Sequence, residues 1–251
     1  MSNRSIKATI MKSDLLDQLL ADRAAKRTVV LLTNLDSGTN TLVHPDSDSE
    51  FSALAPELRE AVDDTLRSDR SATVDSDAGR TFVHVFNPPL RMVIVGAVHI
   101  AQPLARMAVE TGYEVTVVDP RRAFATEERF PGVTLLSDWP DDALAELAPN
   151  GRTAVVTLTH DPKIDDPALH MALRSPAFYI GSLGSKKTHA ARVKRLGMEG
   201  FNETEVERIS GPVGLAIGAR SPAEIAIAIL AQVTQQLHQP SPPAEVVGAA
   251  A

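Results

Sequence analysis

From residue 91 onward, short runs of consecutive apolar residues recur: "RMVIV", "VTVV", "VTLL", "TAVVTLT" and "AFYI", separated by segments with helical spacing. A strand that is apolar on both faces belongs between two layers of helices. The alternation therefore predicts an α/β fold, a Rossmann-like and mostly parallel sheet with helices on both faces. Two helix starts are signalled. Asp166 precedes Pro167 in "DDPALHMAL", and Ser221, Pro222 and Glu224 in "SPAEIAIAILAQV" form a capping box with proline in the first helical position. Before residue 87 the pattern differs. "TVVLLTN" and "NTLVH" are short β-rich runs between Asp, Ser and Gly clusters. Leu54, Leu58, Val62 and Leu66 repeat every four positions, a helical stripe, and "SATVDSDAGRTFVHVF" places two strands around a turn at Asp77 to Gly79. Asn87, Pro88 and Pro89 close this small α+β unit, because proline interrupts ladder and helix alike. The predicted organisation is a small α+β N-terminal domain over 1–87, a Rossmann-like domain over 90–238 and a disordered tail over 239–251.

Composition narrows the functions. A chain of 251 residues suits one main domain and a smaller one. Its net charge of −7 repels a polyphosphate backbone, so no nucleic acid is expected as partner. No apolar run is long enough for a membrane-spanning segment, and the start "MSNRSIKATIMKSDLL" lacks the apolar core of a signal peptide, so the expected location is cytoplasmic. The chain has no cysteine, which removes disulfides, thiolate metal sites and a cysteine nucleophile together.

Four stretches carry candidate chemistry. In "RMVIVGAVHIAQPLA" a strand runs into a turn, Gly96, Ala97, Val98 and His99, resembling a dinucleotide fingerprint. Gly96 supplies the first glycine of that fingerprint. Val98 replaces the second, and its methyls crowd the diphosphate path. Asp119, ending "VTVVD", stands where an acid would bond a ribose hydroxyl. Arg121 and Arg122 follow it and can either neutralise a phosphate or lie solvated at the surface. In "YIGSLGSKKTHAARVKRL", Gly181, Ser182, Leu183, Gly184 and Ser185 lead into a helix opened by Lys186 and Lys187. A helix N-terminus presents free N–H groups to an anion, and lysines there oppose the helix dipole, so binding explains them better than structure does. The alternative is an exposed basic face of Lys187, Arg192, Lys194 and Arg195. In "LTHDPKIDD", Thr159, His160 and Asp161 fall just past a strand, at the edge where open α/β sheets bind ligands. His160 and His99 can meet a ligand there or satisfy local hydrogen bonds. Their spacing fits no metal site. Finally, Gly211, Gly214 and Gly218 in "GPVGLAIGARSPAEIA" point to close backbone approach to a ligand or to another chain, as in a homodimer, or to tight packing alone.

These segments, in this order between about Arg91 and Leu237, resemble the XdhC/CoxI family, and within it the CoxF-like proteins. The resemblance implies an accessory protein. It would bind molybdenum cofactor, as molybdopterin or its nucleotide form, and help sulfurate and insert it into a xanthine dehydrogenase- or carbon monoxide dehydrogenase-type hydroxylase. The implied partners are the hydroxylase apoenzyme and a cysteine desulfurase-type sulfur donor. Much of the family has G-A-G-H where this chain has Gly96, Ala97, Val98 and His99, and many members carry an acid where this chain has Ala216. The family's N-terminal S-G-G-C motif is not recognisable in residues 1–90. Two readings compete with a maturation factor: an NAD(P)-dependent oxidoreductase, suggested by the fold alone, and a non-catalytic interaction protein.

Overall fold

The computed structural model describes residues 12–45, 47–76 and 79–238. The tail over 239–251, and Asp77 and Ala78 of the expected turn, lie outside the described residues. The chain divides into two units, the first ending at Pro88 and the second beginning at Pro89.

The first unit runs α1 (Ser13–Ala24), β1 (Val29–Asn34), β2 (Asn40–Val43), α2 (Asp48–Ser52), α3 (Pro56–Ser68), β3 (Ala72–Ser76) and β4 (Gly79–Phe86). Its antiparallel sheet has the order β2-β1-β4-β3 and packs Val30, Leu32, Val43 and Val83 against Val62 of α3. The stripe expected from Leu54 to Leu66 is cut. Pro56 starts α3 in its first turn, which leaves Leu54 between two helices. No apolar stripe announces α1, because Leu19 is buried while Leu16 and Leu20 are exposed.

The second unit runs β5 (Arg91–Val95), α4 (Ala101–Glu110), β6 (Glu114–Val118), β7 (Thr134–Leu136), α5 (Pro140–Leu147), β8 (Thr153–Thr157), α6 (Pro162–Leu173), β9 (Tyr179–Ser182), α7 (Lys186–Met198), α8 (Glu203–Glu207), β10 (Ile209–Ser210) and α9 (Pro222–His238). All strand pairs are parallel, and the six-stranded sheet has the order β7-β6-β5-β8-β9-β10. In order of appearance this is 3-2-1-4-5-6, the doubly wound Rossmann arrangement, whose direction reverses between β5 and β8. Side chains alternate across a strand. Met92 and Ile94 therefore join Leu104 of α4 and Ile229 of α9, while Val93 and Val95 join Leu144 of α5, Leu169 of α6 and Leu196 of α7. Each such burial is worth about 1.5 to 3 kcal/mol, which explains the unbroken apolar runs.

One helix start differs from the sequence expectation. α6 begins at Pro162, with Asp161 as N-cap accepting from the Lys163 N–H at 3.0 Å, and Pro167 lies inside the helix. Both Asp-Pro pairs carry the same signal. The earlier one prevails because the added turn buries Ile164 and Asp165. Asp166 caps nothing and makes a two-point pair with Arg195, at 2.7 and 2.9 Å.

Candidate functional site at the carboxyl edge of the sheet

Because β5, β8 and β9 are consecutive in the sheet, the loops that follow them share one edge, with the reversal point between the first two. The first turn is closed and apolar. Gly96 has φ +106°, and a Cβ there would stand 2.5 Å from Thr159 Cγ2. Only glycine lets the β5 and β8 loops approach so closely. Ala97 is buried, Val98 is half-buried against the core, and His99 is exposed.

The acid of this turn is engaged by the protein itself. Asp119 is fully buried; its Oδ2 accepts from the Ala97 N–H and from Arg121 Nη2, both at 2.8 Å. Its Oδ1 accepts from the Arg121 N–H and Nε, both at 2.9 Å. Burial pushes this carboxyl up, but the Arg121 side-chain and backbone bonds and the Ala97 N–H outweigh it and hold the group below the usual carboxylate range. A carboxylate offers about four lone-pair positions. All are taken, so a ribose hydroxyl at Asp119 would have to displace Arg121. The Arg121 guanidinium also lies 4.8 Å from the ring centre of Phe124. Arg122 is exposed.

The second loop is organised by a residue that sequence reasoning missed. Asp165, in the first turn of α6, is buried and accepts from Thr159 Oγ1 at 2.7 Å, the His160 N–H at 3.1 Å and the Thr159 N–H at 3.3 Å. It holds His160 at φ +63° with an exposed side chain. Burial pushes the Asp165 carboxyl up against these bonds. Asp161 serves as the α6 cap.

The third loop differs from the first. Gly181 and Ser182 are buried in β9, where Ser182 Oγ and Thr157 Oγ1 are hydrogen-bonded. Leu183 packs against the core. Ser185 caps α7 through the Thr188 N–H at 3.1 Å, and Lys186 and Lys187 stand exposed in a first turn that holds no acid. The expected exposed basic face dissolves in part, since Arg195 is paired with Asp166 and Arg192 is only 2% exposed. Arg192 shares the buried side of α7 with Leu196, an i,i+4 relation that could have placed it from sequence. Its Nη2 donates to the Leu183 carbonyl at 3.0 Å, while its Nε and Nη1 have no partner among the described residues.

The glycine stretch after β10 is partly explained by packing. A Cβ on Gly211 would stand 2.1 Å from His189 Nδ1. The Gly214 N–H donates to Gln232 Oε1, which also accepts from the buried Tyr179 hydroxyl. Among the described residues no cluster of three or more His, Asp or Glu is arranged for a metal ion. None of their helices is long and apolar enough to cross a membrane.

This is a Rossmann-type protein whose carboxyl edge joins a sealed first turn to a cationic helix N-terminus. The XdhC Rossmann domain matches residues 92–233, and the chain belongs to the XdhC family. It is similar to a protein of Bacillus subtilis (strain 168) described as a probable xanthine dehydrogenase subunit, 34% identical over 61% of this chain and 45% of that one. It is also similar to the molybdenum cofactor insertion chaperone PaoD of Escherichia coli (strain K12), 32% identical over 61% of this chain and 42% of that one. The chain thus spans less than half the length of these curated relatives. Among solved structures, one described as a xanthine dehydrogenase from Bacillus halodurans matches with a TM-score of 0.66 and 25% identity, covering 91% of this chain and 65% of that one.

Proposed function

We propose that the chain is a maturation factor that carries molybdenum cofactor to a xanthine dehydrogenase- or carbon monoxide dehydrogenase-type hydroxylase for sulfuration and insertion. The cofactor is held by its phosphate at the β9–α7 loop. The observation that carries this reading is the division of labour along the carboxyl edge. The turn that would take a dinucleotide has its acid saturated by Arg121 and Ala97, whereas the loop two strands away ends in a helix N-terminus with Lys186 and Lys187. The likeness to a protein named as a molybdenum cofactor insertion chaperone supports the class of cargo.

The residues present suit such a ligand. A terminal phosphate calls for N–H donors and positive charge, which the start of α7 offers. Val98 and Leu183 supply apolar wall for a flat ring system, and the loops bearing Gly96, Ala97, His99, Thr159, His160 and Asp161 border the same edge. Arg122, beyond Arg121 on the β6 loop, is a further cation at that edge. In either form, molybdopterin or its nucleotide, the cargo brings the metal chemistry with it. This chain binds, orients and releases it. With no cysteine the chain cannot hold a persulfide, so sulfur comes from a cysteine desulfurase-type partner. Mass spectrometry of the protein after incubation with such a donor should find no covalent sulfur adduct.

The direct test is to purify the protein from molybdate-fed cells and analyse the released pterin and metal. Pterin and molybdenum near equimolar with protein are expected. Recovery of bound NAD(P), with hydride transfer to a substrate, would establish the oxidoreductase reading instead.

A further inference from the structure

Arg192 is a charge without a match. Its side chain is 2% exposed, yet only Nη2 has a partner, and no carboxylate among the described residues forms an ion pair with it. The two acids near enough to be felt are engaged elsewhere. Asp166 is held at two points by Arg195, and Asp165 takes three donors from Thr159 and His160, so both act on Arg192 only at a distance and neither pairs with it. A buried cation with no direct ion pair and two unpartnered nitrogens is costly, and a fold keeps one where something offsets that cost. Side chains on a helix lean toward its N-terminus. Arg192 does so far enough to reach the Leu183 carbonyl, which places its guanidinium beneath the loop that opens α7. One turn earlier on the same face, His189 Nδ1 is also buried without a partner. Burial and the Arg192 charge push His189 down, so Arg192 supplies the charge on this face.

The geometry points to Arg192 as a specificity-determining residue: a fixed positive charge under the β9–α7 loop that makes this loop favour a doubly charged phosphate monoester over singly charged anions. This inference rests on the proposed phosphate site at that loop. Arg192 acts through the loop and through its field rather than at the surface. In surroundings poorer in water its charge is felt more strongly than those of the exposed Lys186 and Lys187. The α7 N-terminus adds partial positive charge in the same place. A monoanion would leave part of this charge unmatched, whereas a dianion answers it.

Calorimetric titration with inorganic phosphate tests this at about pH 6 and about pH 8, across which phosphate passes from mono- to dianion. The proteins are wild type, Arg192→Met, Arg192→Gln, Arg192→Lys and the double variant Lys186→Ala, Lys187→Ala. Wild type should bind more tightly at the higher pH. Arg192→Met and Arg192→Gln should bind roughly ten- to a hundredfold more weakly, with the pH preference lost, and Arg192→Lys should recover most of both. Arg192→Gln keeps a polar amide donor on this face of α7 without charge. It decides the question if Arg192→Met does not fold, and it separates charge from a mere strut. If Arg192→Gln binds phosphate like wild type at both pH values while the double lysine variant does not, the role of Arg192 is overturned and the phosphate site stands. If Arg192→Gln loses phosphate while the double variant keeps it, Arg192 stands and the lysine contribution falls. Failure of wild type to bind phosphate overturns the inference, and pterin analysis then judges the cofactor reading separately.

Discussion

Two glycine-bearing turns open helices on the same edge of one sheet, and they have opposite characters. At β5–α4, Gly96 is buried against Thr159, the next N–H is spent on Asp119, and that acid is spent on Arg121. The helix start there, at Ile100, has no side-chain cap. At β9–α7, Ser185 caps the helix, two lysines stand exposed in its first turn, and a buried arginine lies beneath. In the proposed reading a Rossmann sheet keeps its geometry while its anion chemistry moves from the first turn to the loop after its fifth strand. On that reading the first turn serves the fold and the later one the ligand.

The largest expected effect attacks the fold role of the first turn. Gly96→Ala puts a Cβ 2.5 Å from Thr159 Cγ2 at φ +106°. Strain and overpacking together should cost about 2 to 5 kcal/mol, read as a lowered urea midpoint with an unchanged slope. Next comes Asp119→Asn, which removes the ion pair closing the same turn. Losing one partner of a buried pair costs about 3 to 5 kcal/mol, but Arg121 is 40% exposed, so about 1 to 3 kcal/mol is expected. The pH dependence follows from the lowered pKa of Asp119. Its contribution is present above the ordinary carboxylate value of about 4 and is lost as pH falls through the lower folded value. Urea titrations stepped down into acid should show wild type and Asp119→Asn converging at the lowest pH.

The effects at the later turn fall on binding. Lys186→Ala with Lys187→Ala should weaken cofactor retention about tenfold or more while leaving the melting temperature unchanged or slightly raised, since two cations leave a positive helix end. Partner hydroxylase activity after co-expression, at constant hydroxylase level, provides a second readout. The smallest effect belongs to Val98→Gly. It clears the diphosphate path but leaves Asp119 saturated, so NADH affinity should change by less than about twofold, whereas Val98→Gly combined with Arg121→Ala should raise it further. A large gain from Val98→Gly alone would show that crowding, not saturation of the acid, closes the first turn.

The parallel sheet is legible in the sequence because its strands are buried on both faces. "RMVIV" is β5, "TAVVTLT" contains β8 and "AFYI" runs into β9. β10, two residues long, has no period to read, and α1 splits its leucines between core and solvent. The capping box at Ser221 is present, with Glu224 accepting from the Ser221 N–H at 2.9 Å and Ser221 Oγ accepting from the Glu224 N–H. The start of α6 differs from expectation because two Asp-Pro pairs compete along one short stretch and local chemistry does not rank them. Residue types mark the edge loops, but not which group bonds which. That Asp119 is consumed by Arg121, that Asp165 organises Thr159 and His160, and that Arg192 turns inward are tertiary facts. Only the i,i+4 relation to Leu196 hints at the last of them.

On the proposed reading, phosphate recognition has moved to the β9–α7 loop. A crystal structure of the protein loaded with molybdenum cofactor tests it most directly. The cofactor phosphate should lie against the N–H groups and side chains of Lys186 and Lys187, with Asp119 still bound to Arg121. Phosphate density seated at Gly96, with Arg121 displaced from Asp119, would place the phosphate site at the first turn instead.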